Sequence, residues 1–307
     1  MHAQRQARVL RLAASNERTS AMEEFQSQID AFAEQIEQEL HDGVLSFPTV
    51  FDLSLRIKKL ADSPESSLTD IANAVKAEPV LAAKVIRMAN TLSMNPYRGE
   101  ISSLKEAITR IGLSTLRCLA FAVAAEQLAR DHRSRQMRLI ATGLWMHAID
   151  VASWAFAFAR ERERANPDGA MLAGLMLDIG QFYLLARAAR YPALEGDMPR
   201  FAEVVALWDE PVRTAVLEAF DLPETIIDAC AADPTAHTEW PPETMSDLVF
   251  LATLAAESPN PFDTLLGIQR RPEMLAASLG DIDREAFQAL IDTARDTRHE
   301  LIAAACD

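Results

Sequence analysis

The amino-acid sequence predicts an all-α fold of many helices arranged in two lobes. Three observations carry this expectation. Apolar residues recur three and four apart along nearly every segment, and alternating Val/Ile/Thr/aromatic runs of the kind strands need are missing. Ser, Thr, Pro and Gly also stand where such helices would start and stop. With 49% apolar residues in 307, the chain can bury a substantial core.

Residues 1–19 carry Arg5, Arg8 and Arg11 with no apolar stretch behind them, so they read as a flexible tail and not as a secretory signal. Residues 20–43 form an amphipathic N-terminal helix. Ser20 and Glu23 make a capping box, and Gly43 marks the stop. Its apolar stripe is Met22, Phe25, Ile29, Phe32, Ile36 and Leu40. The opposite face is acidic, where a membrane-surface helix would be basic, so the stripe is expected to pack on the body of the protein or on a partner copy.

Residues 44–132 make the first lobe. Pro48 opens a helix through Val50, Leu53, Ile57 and Leu60, which breaks at Asp62-Ser63-Pro64. Ser67 with Asp70 caps the next, and Pro79 opens another that closes at Asn90. Ser103 and Glu106 start a helix stopped by Gly112, after which Ser114 caps a longer one. The charged run Arg130 to Arg135 is the best internal boundary, so residues 133–307 make the second lobe. There one long helix is expected over Leu139 to Ala159 and another from Gly169 through Leu175 and Tyr183. Others fall at about 201–219, 223–231, 245–256 and 283–304.

Composition narrows the function. Against 45 acidic residues stand 30 Lys and Arg, a formal charge of −15, which opposes the phosphate contacts nucleic-acid binding rests on. Cys118, Cys230 and Cys306 are too few and too scattered for a disulfide framework, and reduced thiols suit a cytoplasmic protein. Apolar stretches such as Leu119 to Ala125 and Met171 to Leu177 are shorter than the ~20 residues a bilayer requires, so no membrane span is expected. No phosphate loop, dinucleotide fingerprint or nucleophile elbow occurs. Cys118, among Leu116, Leu119 and Phe121, reads as a small buried hydrophobe, and Asp62, Glu65 and Asp70 lack the positions of a calcium loop.

The constellation with chemical content is Trp145-Met146-His147 on one helix and Gly174-Leu175-Met176-Leu177-Asp178-Ile179-Gly180 on the next. It resembles the HD superfamily of metal-dependent phosphohydrolases. Those proteins place one metal-binding His on a helix and a His-Asp pair on a later one. His147 and Asp178 match two of these positions, and Leu177 stands where the second His belongs. An aliphatic side chain donates no lone pair, so the resemblance implies vestigial HD positions, with no metal, no other cofactor and no catalytic residue expected. Asp209, Glu210 and Glu218 are the later carboxylates available to complete a ligand set. A His on a helix rich in Trp145, Ile149, Val151 and Trp154 is more often a hydrogen-bonded interior residue, and Asp178 can serve as a helix cap or a buried acceptor.

The first lobe is similar, more specifically, to the HDOD family, a catalytically silent branch of that superfamily. The resemblance runs through Phe47-Pro48, Ser67 to Ala72, Glu78 to Leu81, Val85 to Thr91, and Ile101 to Leu113, with Phe220-Asp221-Leu222-Pro223 as a later fragment. It is good from about Phe47 to Leu185. It implies an HD-like bundle acting as a non-catalytic regulatory module in bacterial signalling. The expected contact is a protein partner or a second copy, and the chain is expected to stand alone without an attached response-regulator domain. The alternatives are a metal-dependent phosphohydrolase built on His147, Asp178 and one later ligand, and a small-molecule sensor using the cleft beside Leu177.

Overall fold

The computed structural model describes residues 2–43, 45, 56–57, 59–60, 63–91, 101–131, 134–162, 165–220, 222–231, 240–268, 272–280 and 282–306. Among these there is no strand, and the all-α expectation holds. Helix α1 spans His2–Asp42. It runs unbroken past Ser20, so the capping box expected there is not a helix start and residues 2–19 are helical, not an irregular tail. That stretch contains neither Gly nor Pro and is rich in good helix formers, which leaves nothing local to stop the helix.

The apolar stripe of α1 buries Phe25, Ile29, Phe32 and Ile36, while Met22 stays 65% exposed. It lies on the body of the protein, against a 3₁₀ turn at Pro192–Gly196 and the helix that follows. The Phe32 ring meets Tyr191 and Phe201 edge-on at 5.7 and 5.9 Å. Gln28 accepts from the Ala193 backbone at 2.8 Å, which fixes the helix axially as well as by apolar burial.

The helix expected from Pro48 lies mostly outside the described residues; within it Ile57 is helical and buried. Helix α2, Leu68–Lys76, carries the expected capping box between Ser67 and Asp70. Helix α3, Pro79–Ala89, ends at Asn90. The Asn90 amide donates to the Ile101 carbonyl at 2.7 Å and accepts from the Ile101 N–H at 3.0 Å, tying two stretches eleven residues apart. Helix α4, Leu104–Asp131, is broken at Gly112 (φ 80°, ψ 163°), where the stop was expected.

Helix α5, Arg135–Arg160, is capped by Ser134. This helix is buried nearly all round. Leu144, Ala148 and Ala152 belong to one apolar core, and Val151, Ala155 and Phe158 to another. The single helix expected from Gly169 through Tyr183 is two, α6 (Pro167–Met176) and α7 (Ile179–Ala188), separated at Leu177 and Asp178. Then come α8 (Met198–Ala219), α9 (Glu224–Cys230) and α10 (Met245–Ala255), near their expected bounds. Two short helices outside the expected set follow, α11 (Pro261–Leu265) and α12 (Pro272–Leu279). Helix α13, Arg284–Cys306, closes the fold against α5, α4 and α3.

The expectation about membrane-length segments needs correction. Leu104–Gln127, Arg135–Arg160 and Pro167–Ala188 are each, by length and composition, long and apolar enough to cross a bilayer, although the first is kinked at Gly112 and the last is divided at Leu177 and Asp178. Between 67% and 83% of their most apolar windows is buried inside the fold, so that surface is already engaged by other helices. Cys118 is buried as expected, and burial pushes its thiol up to about 12.

Candidate functional site

The site forms where the α6–α7 break faces α5, and two glycines set how closely the elements approach. A Cβ on Gly174 would lie 2.6 Å from the Ala152 Cα, so α6 and α5 pack backbone to backbone. A Cβ on Gly180 would lie 2.4 Å from Asp209 Oδ1, which brings α8 onto the first turn of α7. The two glycines of Gly-x-x-x-Asp-Ile-Gly therefore serve as packing devices.

His147 is 1% exposed on α5. Its Nδ1 lies 2.7 Å from the Ser258 carbonyl oxygen. A carbonyl only accepts, so Nδ1 carries a proton and donates to it, leaving Nε2 turned toward Asp178. That Nε2 lies 3.6 Å from Asp178 Oδ2, an ion-pair separation too long for a hydrogen bond. Asp178 stands at the N-cap of α7 but makes no capping hydrogen bond there, so of its two expected roles the buried acceptor is the one it fills. Its Oδ1 accepts from Asn260 at 3.2 Å.

Asn260 also donates to Gln181 Oε1 at 2.9 Å, while its own carbonyl oxygen accepts from the Phe262 backbone N–H at 2.9 Å. Of the three later carboxylates, Asp209 is brought against this network, Glu210 reaches the cleft wall, and Glu218 is exposed and outside the cleft lining. Asp209 pairs with Arg213 at 3.0 Å. Burial pushes the Asp209 carboxyl up to about 6. Arg213 and Gln181 act against that rise, and Asp178 and Asp263 add to it.

Above the network opens a cleft of about 500 Å³. Its lining includes Leu177, Asp178 and Asp209 together with the apolar Val249, Phe250, Leu254, Ile268 and Met274. Leu177 therefore stands on the cleft wall, at the position where the resemblance would put a second His. His147 Nε2 and Asp178 Oδ2, which face each other at 3.6 Å, are both buried and make no hydrogen bond.

These residues do not fit a tightly held metal. Two donors, His147 and Asp178, survive; Leu177 offers none, and the Asn260 NH₂ directs its hydrogens at Asp178, where a cation would repel them. Among the described residues no three His, Cys, Asp or Glu side chains are grouped to hold an ion.

The sequence reading missed the second layer of this site. Asp150, one turn beyond His147, accepts from the Ser258 N–H at 2.7 Å and forms an ion pair with Arg298 of α13. Ser258 is thus gripped through both backbone groups, and the grip fixes the His147 ring. Ser258-Pro259-Asn260-Pro261 carries a turn and cap signal, and Asn260 does cap α11, but nothing local shows that this turn meets His147.

The fold is an HD-like all-helical domain, in which His147 and Asp178 come together beside Leu177. A profile of the HDOD domain matches residues 47–232, and the chain belongs to the HDOD family. The match extends well past Leu185, where the sequence resemblance thins. No curated protein matches the chain. Among solved structures it is similar to a protein from Shewanella amazonensis provisionally named a metal-dependent phosphohydrolase, with 21% identity, a TM-score of 0.63, and coverage of 90% of this chain and 99% of that one. An HDOD domain protein of unknown function from Geobacter sulfurreducens shares 21% identity with a TM-score of 0.55, over 91% and 100% of the two chains. A Marinobacter aquaeolei protein provisionally named for signal transduction aligns at 17% identity and TM-score 0.51, over 90% of this chain and 65% of its own.

Proposed function

We propose that this chain is a non-catalytic regulatory binding module of bacterial signalling that acts in the cytoplasm through a protein partner. The observation that carries the reading is the cleft wall. Leu177 stands beside Asp178 in place of a nitrogen donor, and Asn260, Gln181 and Arg213 supply hydrogen-bond donors to the remaining carboxylates. Such an arrangement preserves the shape of the ancestral site without its Lewis acid, so it can hold a conformation or a ligand but cannot activate water by metal coordination. The name of the Marinobacter relative and the membership of the HDOD family support signalling as the setting.

Elemental analysis of the purified full chain, run beside a phosphodiester hydrolysis assay, tests this. The expected result is substoichiometric transition metal and no turnover. Leu177→His is expected to raise metal affinity by about tenfold or more, since the Ser258 carbonyl already orients the His147 ring. A stoichiometric metal in the unmodified protein, lost in Asp178→Asn together with hydrolysis of a phosphodiester, would overturn the proposal.

A further inference from the structure

Helix α1 outruns the body that holds it. At 41 residues it is ~60 Å long, and its main packing partners are the 3₁₀ turn at Pro192–Gly196 and α8. The docked part begins at Phe25, which lies under the Arg200 guanidinium at 5.0 Å, and runs to Glu39, which accepts from the Tyr183 hydroxyl and pairs with Arg187. Ahead of it, residues 19–24 are exposed without exception over more than a full turn, so the helix has already left the body there. Most helical stability in proteins comes from packing, and a projecting helix of this kind calls for a partner.

The charges of α1 are laid out against its own stability. Residues 2–18 hold Arg5, Arg8, Arg11 and Arg18 against the single acid Glu17, whereas residues 23–42 hold seven carboxylates and no Lys or Arg. A helix favours anions at its N-terminal end and cations at its C-terminal end. Here the order is reversed, with no acid in the first turn and Glu39 and Asp42 in the last. Asp30, Glu34 and Glu37 are exposed and recur four and three residues apart, a spacing at which like charges repel. None of these three meets a cation among the described residues.

We infer that α1 is the dimerisation element of this chain, pairing antiparallel with α1 of a second copy across a two-fold axis near Ala21. The sequence is self-complementary in that register, as a two-fold interface demands. With Ala21 on the axis, Arg5 comes level with Glu37 of the second copy, Arg8 with Glu34, Arg18 with Glu24, and Arg11 with Ala31, next to Asp30. Met22, 65% exposed, falls one residue from the axis, where the second Met22 can cover it. Antiparallel helices also oppose their dipoles, so the reversed charge order that costs one copy stabilises two. A parallel pair would set arginine against arginine and carboxylate against carboxylate, so charge fixes the orientation. An anionic membrane would suit residues 2–18 but would repel the seven carboxylates that follow. The inference goes beyond the binding-module reading and does not depend on the cleft.

Sedimentation velocity of the full chain over ~1–100 μM tests it. The expected result is a dimer whose dissociation constant rises at least ~10-fold between about 0.05 and 0.5 M sodium chloride, because the paired charges are exposed to solvent. The triple variants Arg5→Glu/Arg8→Glu/Arg11→Glu and Asp30→Arg/Glu34→Arg/Glu37→Arg are each expected to be monomeric, and their equimolar mixture to form a heterodimer. Circular dichroism checks that helix content is retained, and reversing the two halves separately keeps the test open should one variant disturb the helix. A chain that stays monomeric, including one that phosphatidylserine vesicles capture, would overturn the inference. So would a dimer that salt strengthens, a dimer that either triple variant leaves intact, or variants whose mixture stays monomeric. Metal content and phosphodiester turnover decide the binding-module reading separately.

Discussion

Asp209 concentrates the electrostatics of the site in one side chain. It is pressed on Gly180, paired with Arg213, and pushed from an ordinary 3.8 up to about 6, first of all by burial. A carboxyl whose folded pKa is raised contributes stability that is fully present below its unfolded pKa and lost as pH climbs through the folded one. The expected outcome is a fall in unfolding free energy of roughly 3 kcal/mol between about pH 4 and pH 6.5 from this group. Asp209→Asn keeps the shape and removes the titration, so denaturant melts across that range should show a flatter profile for the variant. An unchanged pH profile would place the titration elsewhere.

Among the elements, α13 is the one whose consequence exceeds its size. Arg298 reaches Asp150, which is 2% exposed on α5 and also accepts from the Ser258 N–H. Arg298→Met keeps most of the aliphatic packing and leaves Asp150 buried without its cation, a change expected to destabilise the fold by about 3 kcal/mol. It should also loosen the Ser258 turn, read as faster backbone amide exchange at Ser258; protection equal to the unmodified protein would show that α13 does not hold the turn. This coupling marks the limit of what the sequence disclosed. The Ser67–Asp70 cap, the Pro79 start and the Gly112 break were legible because each is decided within a few residues. His147 and Asp178 were legible as motif positions. Ser258 and Asn260 were not, since the first meets His147 across 111 residues and the second meets Asp178 across 82. The unbroken start of α1 was missed for a different reason: Ser20 and Glu23 fit a cap as well as they fit a helix interior, and spacing alone does not choose.

At the scale of the whole molecule, the two lobes expected on either side of residue 132 are joined energetically by α4. Leu116, Leu119, Ala120 and Val123 of that helix belong to one apolar core, and Cys118, Phe121, Ala122 and Ala124 to another. Opposite faces of one helix thus serve both cores, and neither can lose the helix without exposing apolar surface in the other. Helix α13 adds a second tie by packing on α3 and α4 as well as on α5, while α1 closes the far side over Phe201. A chain of this length commonly unfolds in stages, but shared helices of this kind couple the stages. Calorimetry should accordingly give a single transition with a van't Hoff enthalpy equal to the calorimetric one. Two resolved transitions would mean that α4 can leave one core while remaining in the other. The cleft beside Leu177 could then change shape without the core around Leu116 and Leu119 responding. A single transition instead makes the cleft, the Ser258 turn and α13 parts of one cooperative unit, the condition under which a ligand in the cleft can alter a surface as distant as α3.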